Sequence, residues 1–311
     1  MKALVTGGAG FIGSNLVQGL LDEKHKVVIL DNMLSGHEQN IIKHDDVTFV
    51  KGDIRDENLV MSSMEDIDVV FHFAASVGNK RSIDFPKDDA SINVLGTLNI
   101  LEAMRKHNVP KIVASSSAGI YGELKLLPIK ENHPIEPFTP YASTKLCMEK
   151  QCLSYAHLYD IDAVCLRYFN VYGLNQRFDA YGNVIPIFAH RLINGQPITI
   201  FGDGEQTRDF VNVKDVVQAN LKGAFAPKGV SGAFNVATGK GLSINRLASM
   251  LKEYSGLDGE IQYAPVRMGD VLHSDADISA ARESFGFDPV VQIEEGLKEY
   301  MDWAMDNLKL K

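Results

Sequence analysis

Tyr141 and Lys145 stand four residues apart in the run Pro140-Tyr-Ala-Ser-Thr-Lys145, and the chain that carries them opens with a glycine-rich loop, Thr6-Gly-Gly-Ala-Gly-Phe-Ile-Gly13. On a helix, positions i and i+4 share a face, so the Lys145 ammonium can lie close to the Tyr141 phenol and favour its ionised form. A free phenol titrates near ~10 and is a poor base at neutral pH, and each unit of depression corresponds to about 1.4 kcal/mol of preferential phenolate stabilisation. Alone, Tyr-x-x-x-Lys also describes many solvated helix pairs. The glycine loop is what gives it chemical meaning.

That loop has the context dinucleotide binding demands. Gly8-x-Gly10-x-x-Gly13 follows a short predicted strand and precedes a helix expected to start near Phe11. Such glycines let the backbone turn tightly and approach a pyrophosphate, whose charge meets the helix N-terminus. The second predicted strand ends at Asp31, eighteen residues after Gly13. A carboxylate there hydrogen-bonds a ribose 2′-hydroxyl and repels a 2′-phosphate. No Arg or Lys follows in Asn32-Met-Leu-Ser-Gly36, so the expected cofactor is NAD rather than NADP. Asp53-Ile54 closes the third predicted strand. Asp53 lies beside the adenine or caps the helix that begins around Arg55-Asp56-Glu57, and the two roles are compatible.

The elements that must hold these residues are legible as apolar runs at Lys2 to Thr6, Val27 to Leu30, Val47 to Val50, Val69 to Phe73, Ile112 to Ser115 and Ala163 to Arg167, with helix-like segments between them. Strands this apolar need cover on both faces, which predicts an α/β fold with a doubly wound, Rossmann-type parallel sheet and a smaller C-terminal α/β domain. The expected division places the nucleotide domain at 1–169, with 211–237 returning to it, and the second domain at 170–210 and 238–311. Two long helices, at about 92–107 and 141–159, are apolar on more than one face, the first through Leu95, Leu98, Leu101 and Met104. Core burial or a subunit interface would each account for that. After Phe169 the pattern loosens into loops such as Tyr181-Gly-Asn-Val-Ile-Pro186 and Phe201-Gly-Asp-Gly204, before a last amphipathic helix carrying Ile293, Leu297, Tyr300, Met301, Ala304 and Leu308.

Composition narrows the class. Of 311 residues, 45% are hydrophobic and 23% charged, which excludes disordered and fibrous chains. A net charge of -9 argues against nucleic acid as the main partner, because a duplex-binding surface needs clustered Lys and Arg. Cys147, Cys152 and Cys165 lack metal-ligand spacing and are expected to be buried thiols in a reducing compartment; no metal is expected. The chain enters a strand at Met1-Lys-Ala-Leu-Val and contains no stretch of eighteen apolar residues, so it is read as cytoplasmic, with no membrane span.

Taken in order, Thr6 to Gly13, Asp31-Asn32, Asp53-Ile54, Phe71-His-Phe-Ala-Ala75, Asn93-Val-Leu-Gly-Thr97, Ser115-Ser-Ser-Ala118, Tyr141-x-x-x-Lys145 and Arg167-Tyr-Phe-Asn170 resemble the extended short-chain dehydrogenase/reductase family. The likeness is closest to its UDP-sugar 4-epimerase branch and runs along nearly the whole chain. The resemblance implies a catalytic set of Ser117, Tyr141 and Lys145. It implies an NAD site drawn from Gly7, Gly10, Phe11, Ile12, Gly13, Asp31, Asn32, Ser35, Gly36, Asp53, Ile54, Phe73, Ala74, Ala75, Asn93, Tyr141, Lys145 and Phe169. His72 is read as structural, since no partner spacing marks it as an acid or a ligand.

For the substrate, the resemblance implies a UDP-sugar held by Ser117, Tyr141, Asn170, Asn183, Thr199, Phe201, Arg208, Arg267, Asp270 and Ser274. A guanidinium offers fixed, bidentate donors to a pyrophosphate, which suits Arg208 and Arg267, although surface ion pairs with Asp209 or Asp270 would use the same residues. The branch also implies a homodimer formed through a four-helix bundle. The implied reaction is C4 epimerisation of UDP-glucose and UDP-galactose, extended to the N-acetylated pair by the small residue Ser274. The alternative reading of Ser274 is the start of the loop before Asp275 and Asp277, touching no ligand. Three rivals share the scaffold. A nucleotide-sugar 4,6-dehydratase places Asp-Glu directly after the catalytic hydroxyl residue, where this chain has Ala118-Gly119. A UDP-glucuronate 4-epimerase could read its carboxylate with Arg177, although Asn170 stands where a threonine is expected. A non-catalytic NAD-binding sensor or scaffold would have no need of an intact Ser117-Tyr141-Lys145 set.

Overall fold

Seven parallel strands make the central sheet, and the helices that connect them cover both faces. In the computed structural model, which describes residues 1–178, 182–266 and 273–309, the first half alternates strand and helix. In order come β1 (Lys2–Thr6), α1 (Phe11–Asp22), β2 (Lys26–Asp31), β3 (Val47–Lys51), α2 (Glu57–Ser63), β4 (Val69–His72), α3 (Asn79–Asp84), α4 (Pro86–Ala90), α5 (Thr97–His107), β5 (Lys111–Ser117), α6 (Pro140–Leu158) and β6 (Asp162–Tyr168). The second half adds β7 (Asn170–Tyr172), α7 (Val184–Ile193), β8 (Ile198–Phe201), β9 (Thr207–Asn212), α8 (Val213–Ala224), β10 (Gly232–Val236), β11 (Gly241–Ser243), α9 (Ile244–Ser255), β12 (Ile261–Ala264), α10 (Ser279–Phe285) and α11 (Ile293–Asn307).

The sheet order is β10-β6-β5-β4-β1-β2-β3. β1 pairs with β2 on one side and β4 on the other, so the winding reverses between β1 and β4 and a crevice opens at their carboxyl ends. Thr6 is level with both Leu30 and His72, and Ser117 with Tyr168, which brings the ends of β1, β2, β4, β5 and β6 to one edge. The doubly wound α/β expectation holds. Chain from β7 to β9 leaves this sheet, and β10 returns to it beside β6. β7, β9 and β11 form a second sheet and β8 with β12 a third, packed with α7, α9 and α11 around Phe188, Leu192, Leu247, Leu251, Leu297 and Tyr300.

Several local readings change. Val184 to Pro186 is the first turn of α7 and not loop; proline is tolerated there because its missing N–H has no intrahelical partner to lose. The first of the two long helices is interrupted by a π-helical turn, Ser91–Gly96, before α5 begins. Asp56, not Asp53, caps α2, accepting the Asn58 and Leu59 amides. Cys152 and Cys165 are buried as expected, but Cys147 is exposed, because it projects from the outer face of α6. No described helix is long and apolar enough to cross a membrane.

Candidate active site

The glycine loop turns where β1 ends. Gly7 has φ +71°, and a Cβ on it would meet the Ala74 amide nitrogen at 2.7 Å. A Cβ on Gly13 would stand 2.3 Å from the Gly7 carbonyl oxygen, so both positions exclude side chains for the sake of the fold itself. Gly10 differs. A Cβ there would approach one atom, the Gly7 oxygen at 3.2 Å, and would otherwise occupy open space at the N-cap of α1. Bare backbone at a helix N-terminus is a cradle for a diphosphate. Phe11 and Ile12 open that helix.

Asp31 ends β2, buried, and its two oxygens accept the Ala9 amide at 3.0 Å and the Met33 amide at 2.8 Å. Gly36 backs directly onto it, since a Cβ there would lie 2.9 Å from Oδ1; Ser35 precedes it in the same loop. A carboxylate has about four acceptor positions, which leaves Asp31 able to take a ribose hydroxyl as well. Asn32 donates to Asp53 at 2.8 Å, and Asp53 forms a two-pronged pair with Arg55. That pair is the main reason the Asp53 carboxyl is held down at about 2. The Ile54 carbonyl accepts from Asn99, which fixes the loop at the end of β3.

A chain of hydroxyls organises the crevice floor. Thr97 donates to the Asn93 carbonyl, so it accepts from Nε2 of buried His72, whose Nδ1 then accepts from Thr6. Thr6 in turn accepts the Ala74 amide, and its carbonyl takes the Phe73 amide. Burial, aided by the nearby Lys145 charge, pushes the His72 pKa down to about 3, so the imidazole is neutral and structural. Ala75 follows in the same segment. Asn93, buried in the π-helical turn, clamps Ser76 through both its amide and carbonyl and donates to Thr144. At the far side Phe169, buried, ties the end of β6 to Val236.

The catalytic candidates converge at the same edge. Ser117 is the last residue of β5, and its Oγ accepts the Gly119 amide at 3.1 Å, which leaves its proton free to donate. Tyr141 sits in the first turn of α6, whose start is set by Pro140 and by Thr139, an N-cap that accepts the Ala142 amide and donates to Asn79. Tyr141 is half-buried, with its phenol oxygen deep among protein atoms. That burial pushes the phenol up to about 12, against the pull of a hydrogen bond with Ser117. The direction is opposite to the expected depression by Lys145. The lysine, also buried, donates to Ser115 at 3.2 Å and is pushed down to about 8 by desolvation. Ser115 passes its own proton to the His72 carbonyl. Desolvation is therefore the largest influence on both groups.

Of the expected substrate residues, Asn170 and Arg208 lie on the second sheet and Thr199 and Phe201 on the third. Asn170 donates to the Asp209 carbonyl, Asn183 stands at the N-cap of α7, and Thr199 and Phe201 lie on β8, where Thr199 accepts from Arg191. Arg208 donates to the Thr207 carbonyl. Asp209 is not its ion-pair partner, because its buried carboxylate is taken up by Thr238 and Gly239. Ser274 is buried, and its carbonyl accepts the Asp209 amide; the segment after it pairs with Ile129 in the loop beyond Ser117. Arg267 and Asp270 lie outside the described residues. Arg177, the residue invoked for a uronate, donates to Gln39 and covers the Trp303 ring. Thr139 and Ser115 join the site without having been singled out in the sequence. A Thr-Pro pair before an amphipathic run signals the first, whereas nothing in the spacing marks the second.

Residues 3–237 match the NAD dependent epimerase/dehydratase family. The chain belongs to that family. NAD is its cofactor, and the bare cradle at Gly10 and the acceptor at Asp31 fit it. A putative UDP-glucose 4-epimerase of Methanocaldococcus jannaschii is 44% identical over 306 residues, 98% of each chain. Among solved structures, the UDP-glucose 4-epimerase of Thermotoga maritima with UDP-glucose superposes with a TM-score of 0.93 at 38% identity, covering 99% of this chain and 100% of its own. The UDP-N-acetylglucosamine 4-epimerase of Methanobrevibacter ruminantium M1, in complex with UDP-N-acetylmuramic acid, gives 0.93 at 37%, covering 98% of both. The likeness to these relatives runs along nearly the full length of the chain.

Proposed function

We propose that the chain interconverts a UDP-hexose with its C4 epimer through a transient 4-keto sugar. The observation that carries this reading is the convergence of Ser117, at the end of β5, on the Tyr141 phenol at the start of α6. NAD, when bound, supplies a hydride acceptor that is also the later donor, and a positively charged ring. Tyr141 takes the proton of the 4-hydroxyl, and Ser117 donates a hydrogen bond to the same oxygen. Lys145, held by Ser115, places a cation one helical turn from Tyr141. At neutral pH, below its lowered pKa of about 8, most of it remains ammonium. The reaction is redox-neutral, so no external reductant is consumed.

The diphosphate is held by Arg208 and Arg267, and the uridine by the segment around Thr199 and Phe201. Remote binding of this kind leaves the sugar free to turn over and present its other face. Elimination of water is disfavoured, because Ala118 and Gly119 carry no proton donor for a leaving hydroxyl. Arg177, engaged by Gln39 and Trp303, favours a neutral hexose over a uronate. Ser274 is small, which leaves room for a 2-acetamido group. A protein with this function interconverts UDP-glucose, UDP-N-acetylglucosamine and their C4 epimers, and Ser274→Tyr removes the acetylated pair selectively. Conversion of none of these, or of UDP-glucuronate alone, overturns the reading.

A further inference from the structure

Asn235 lies on β10, level with Arg167 on β6, and is fully buried. Its side chain faces two carbonyl oxygens, those of Ile129 at 2.9 Å and Asp277 at 3.0 Å. Both can only accept, so the amide nitrogen must be the group that meets them. The amide oxygen accepts the Tyr121 hydroxyl at 2.7 Å. Tyr121 gives that proton because its own oxygen receives one from Arg167 at 2.8 Å, and a guanidinium only donates. The direction of every bond in this cluster is therefore fixed by its partners.

The partners of Asn235 lead to two different parts of the site. On one side, Asp277 closes the segment that begins at Ser274, Ile129 pairs with Ala276 in its middle, and the Asp209 amide donates to the Ser274 carbonyl at 3.1 Å. Asp209 follows Arg208 on β9, and its two carboxylate oxygens take the Thr238 and Gly239 amides just beyond β10, at 2.8 Å each. On the other side, Tyr121 ends the short helical turn Ala118–Tyr121 that follows Ser117. Arg167 makes a two-pronged pair, at 2.7 and 2.9 Å, with Glu149 of α6, the helix that carries Tyr141. Glu149 also takes the hydroxyl of Ser116, the neighbour of Ser117. Glu149, Arg167, Tyr121 and Asn235 are all buried.

We propose that this buried path, with Asn235 at its centre, sets the spacing between the diphosphate anchor at Arg208 and the Ser117–Tyr141 pair, which makes Asn235 a positioning residue for the reaction. The inference rests on the epimerase reading. In that reading one end of the substrate is held on the second sheet while the sugar reacts at the edge of the first, so the two sheets must keep their relative placement. A misplacement of about 1 Å between a held substrate and its catalytic groups costs on the order of a hundredfold in rate. Asn235 is the side chain that bonds to both sides, and it touches neither the substrate residues nor the catalytic set itself.

A split between binding and turnover separates this from a packing role. Asn235→Ser keeps a small polar side chain that cannot span the three partners. In NAD-loaded protein shown by urea unfolding to be folded under the assay conditions, calorimetric titration with UDP gives an affinity within about threefold of wild type, while kcat on UDP-glucose falls at least about tenfold. Tyr121→Phe deletes one hydroxyl from the path and keeps the buried ring, so it gives the same split should Asn235→Ser not fold. Where both fold, the double variant costs little more than Asn235→Ser alone, because the two changes break one path. A folded variant with wild-type kcat overturns the proposal, and so does a loss of UDP affinity equal to the loss of kcat, which would place the damage in the anchor itself. A wild type that turns over no UDP-sugar removes the epimerase reading and this inference with it, whereas either of the other two outcomes in an active protein removes the inference alone.

Discussion

At the scale of single residues, the phenol of Tyr141 decides the chemistry. Burial sets it at about 12, so a ring of the same shape without the hydroxyl packs equally well but accepts no proton. Tyr141→Phe therefore retains NAD and loses turnover by at least about a hundredfold, the usual range for removing a general base. Retained NAD is checked by the absorbance of the released cofactor, and near-wild-type activity would show the proton leaves by another route. Gly13 makes the opposite case, because its bare Cα serves the fold first. Gly13→Ala forces a methyl to within 2.3 Å of the Gly7 carbonyl oxygen, a backbone atom that cannot swing away. The expected cost is about 1–3 kcal/mol in urea unfolding, together with loss of copurifying NAD. Much of this was legible in the sequence: the glycines, Asp31 and the Tyr-x-x-x-Lys spacing each carry a stereochemical requirement readable from residue type. The direction of the Tyr141 shift was not, because desolvation depends on what surrounds the phenol and spacing reports only its neighbour on the helix.

At the scale of elements, six of the seven parallel strands were visible as apolar runs, since a strand covered on both faces has no polar side to break the pattern. β10 lacked such a run, with Gly232 and Asn235 inside five residues. α7 was hidden behind a Gly-Asn-x-x-Pro segment that resembles a loop until its downstream apolar spacing is seen. The π-helical turn before α5 has no sequence signature, and it brings Asn93 inward to clamp Ser76 and Thr144. α5 and α6 pack together, with Leu95 56% exposed in the turn leading into α5 and Leu158 66% exposed at the end of α6. We expect this face to pair with its copy about a two-fold axis as a four-helix bundle. Sedimentation at micromolar concentration then gives a dimer, and Leu95→Glu with Leu158→Glu gives a monomer. A wild-type monomer would refute the arrangement.

Across the whole molecule, buried phenols tie stability to alkaline pH. Burial raises Tyr121 and Tyr141 to about 12, and Tyr168, Tyr172 and Tyr300 further still, from an ordinary 10.0. Above pH 10 the unfolded chain therefore loses protons that the folded chain retains. It binds fewer protons than the native state, and stability falls as pH rises. Lys145 acts in the other direction between about 8 and 10.5, where the unfolded chain binds the extra proton, but it is one group against five. The urea midpoint should hold or rise slightly from pH 8 to 10 and drop steeply by pH 11; a midpoint still rising at pH 11 would show the tyrosines to be more open than their burial indicates.

In the proposed reaction the C4 hydrogen leaves as hydride and returns to the same carbon within one closed site. UDP-glucose carrying deuterium at C4, incubated with the purified protein in ordinary water, reports on that step alone. UDP-galactose is expected to form with the deuterium still at C4, with none released to solvent and no free NADH accumulating. Product carrying hydrogen from water at C4 would mean proton exchange at carbon instead of hydride transfer, and the proposed reaction would be wrong.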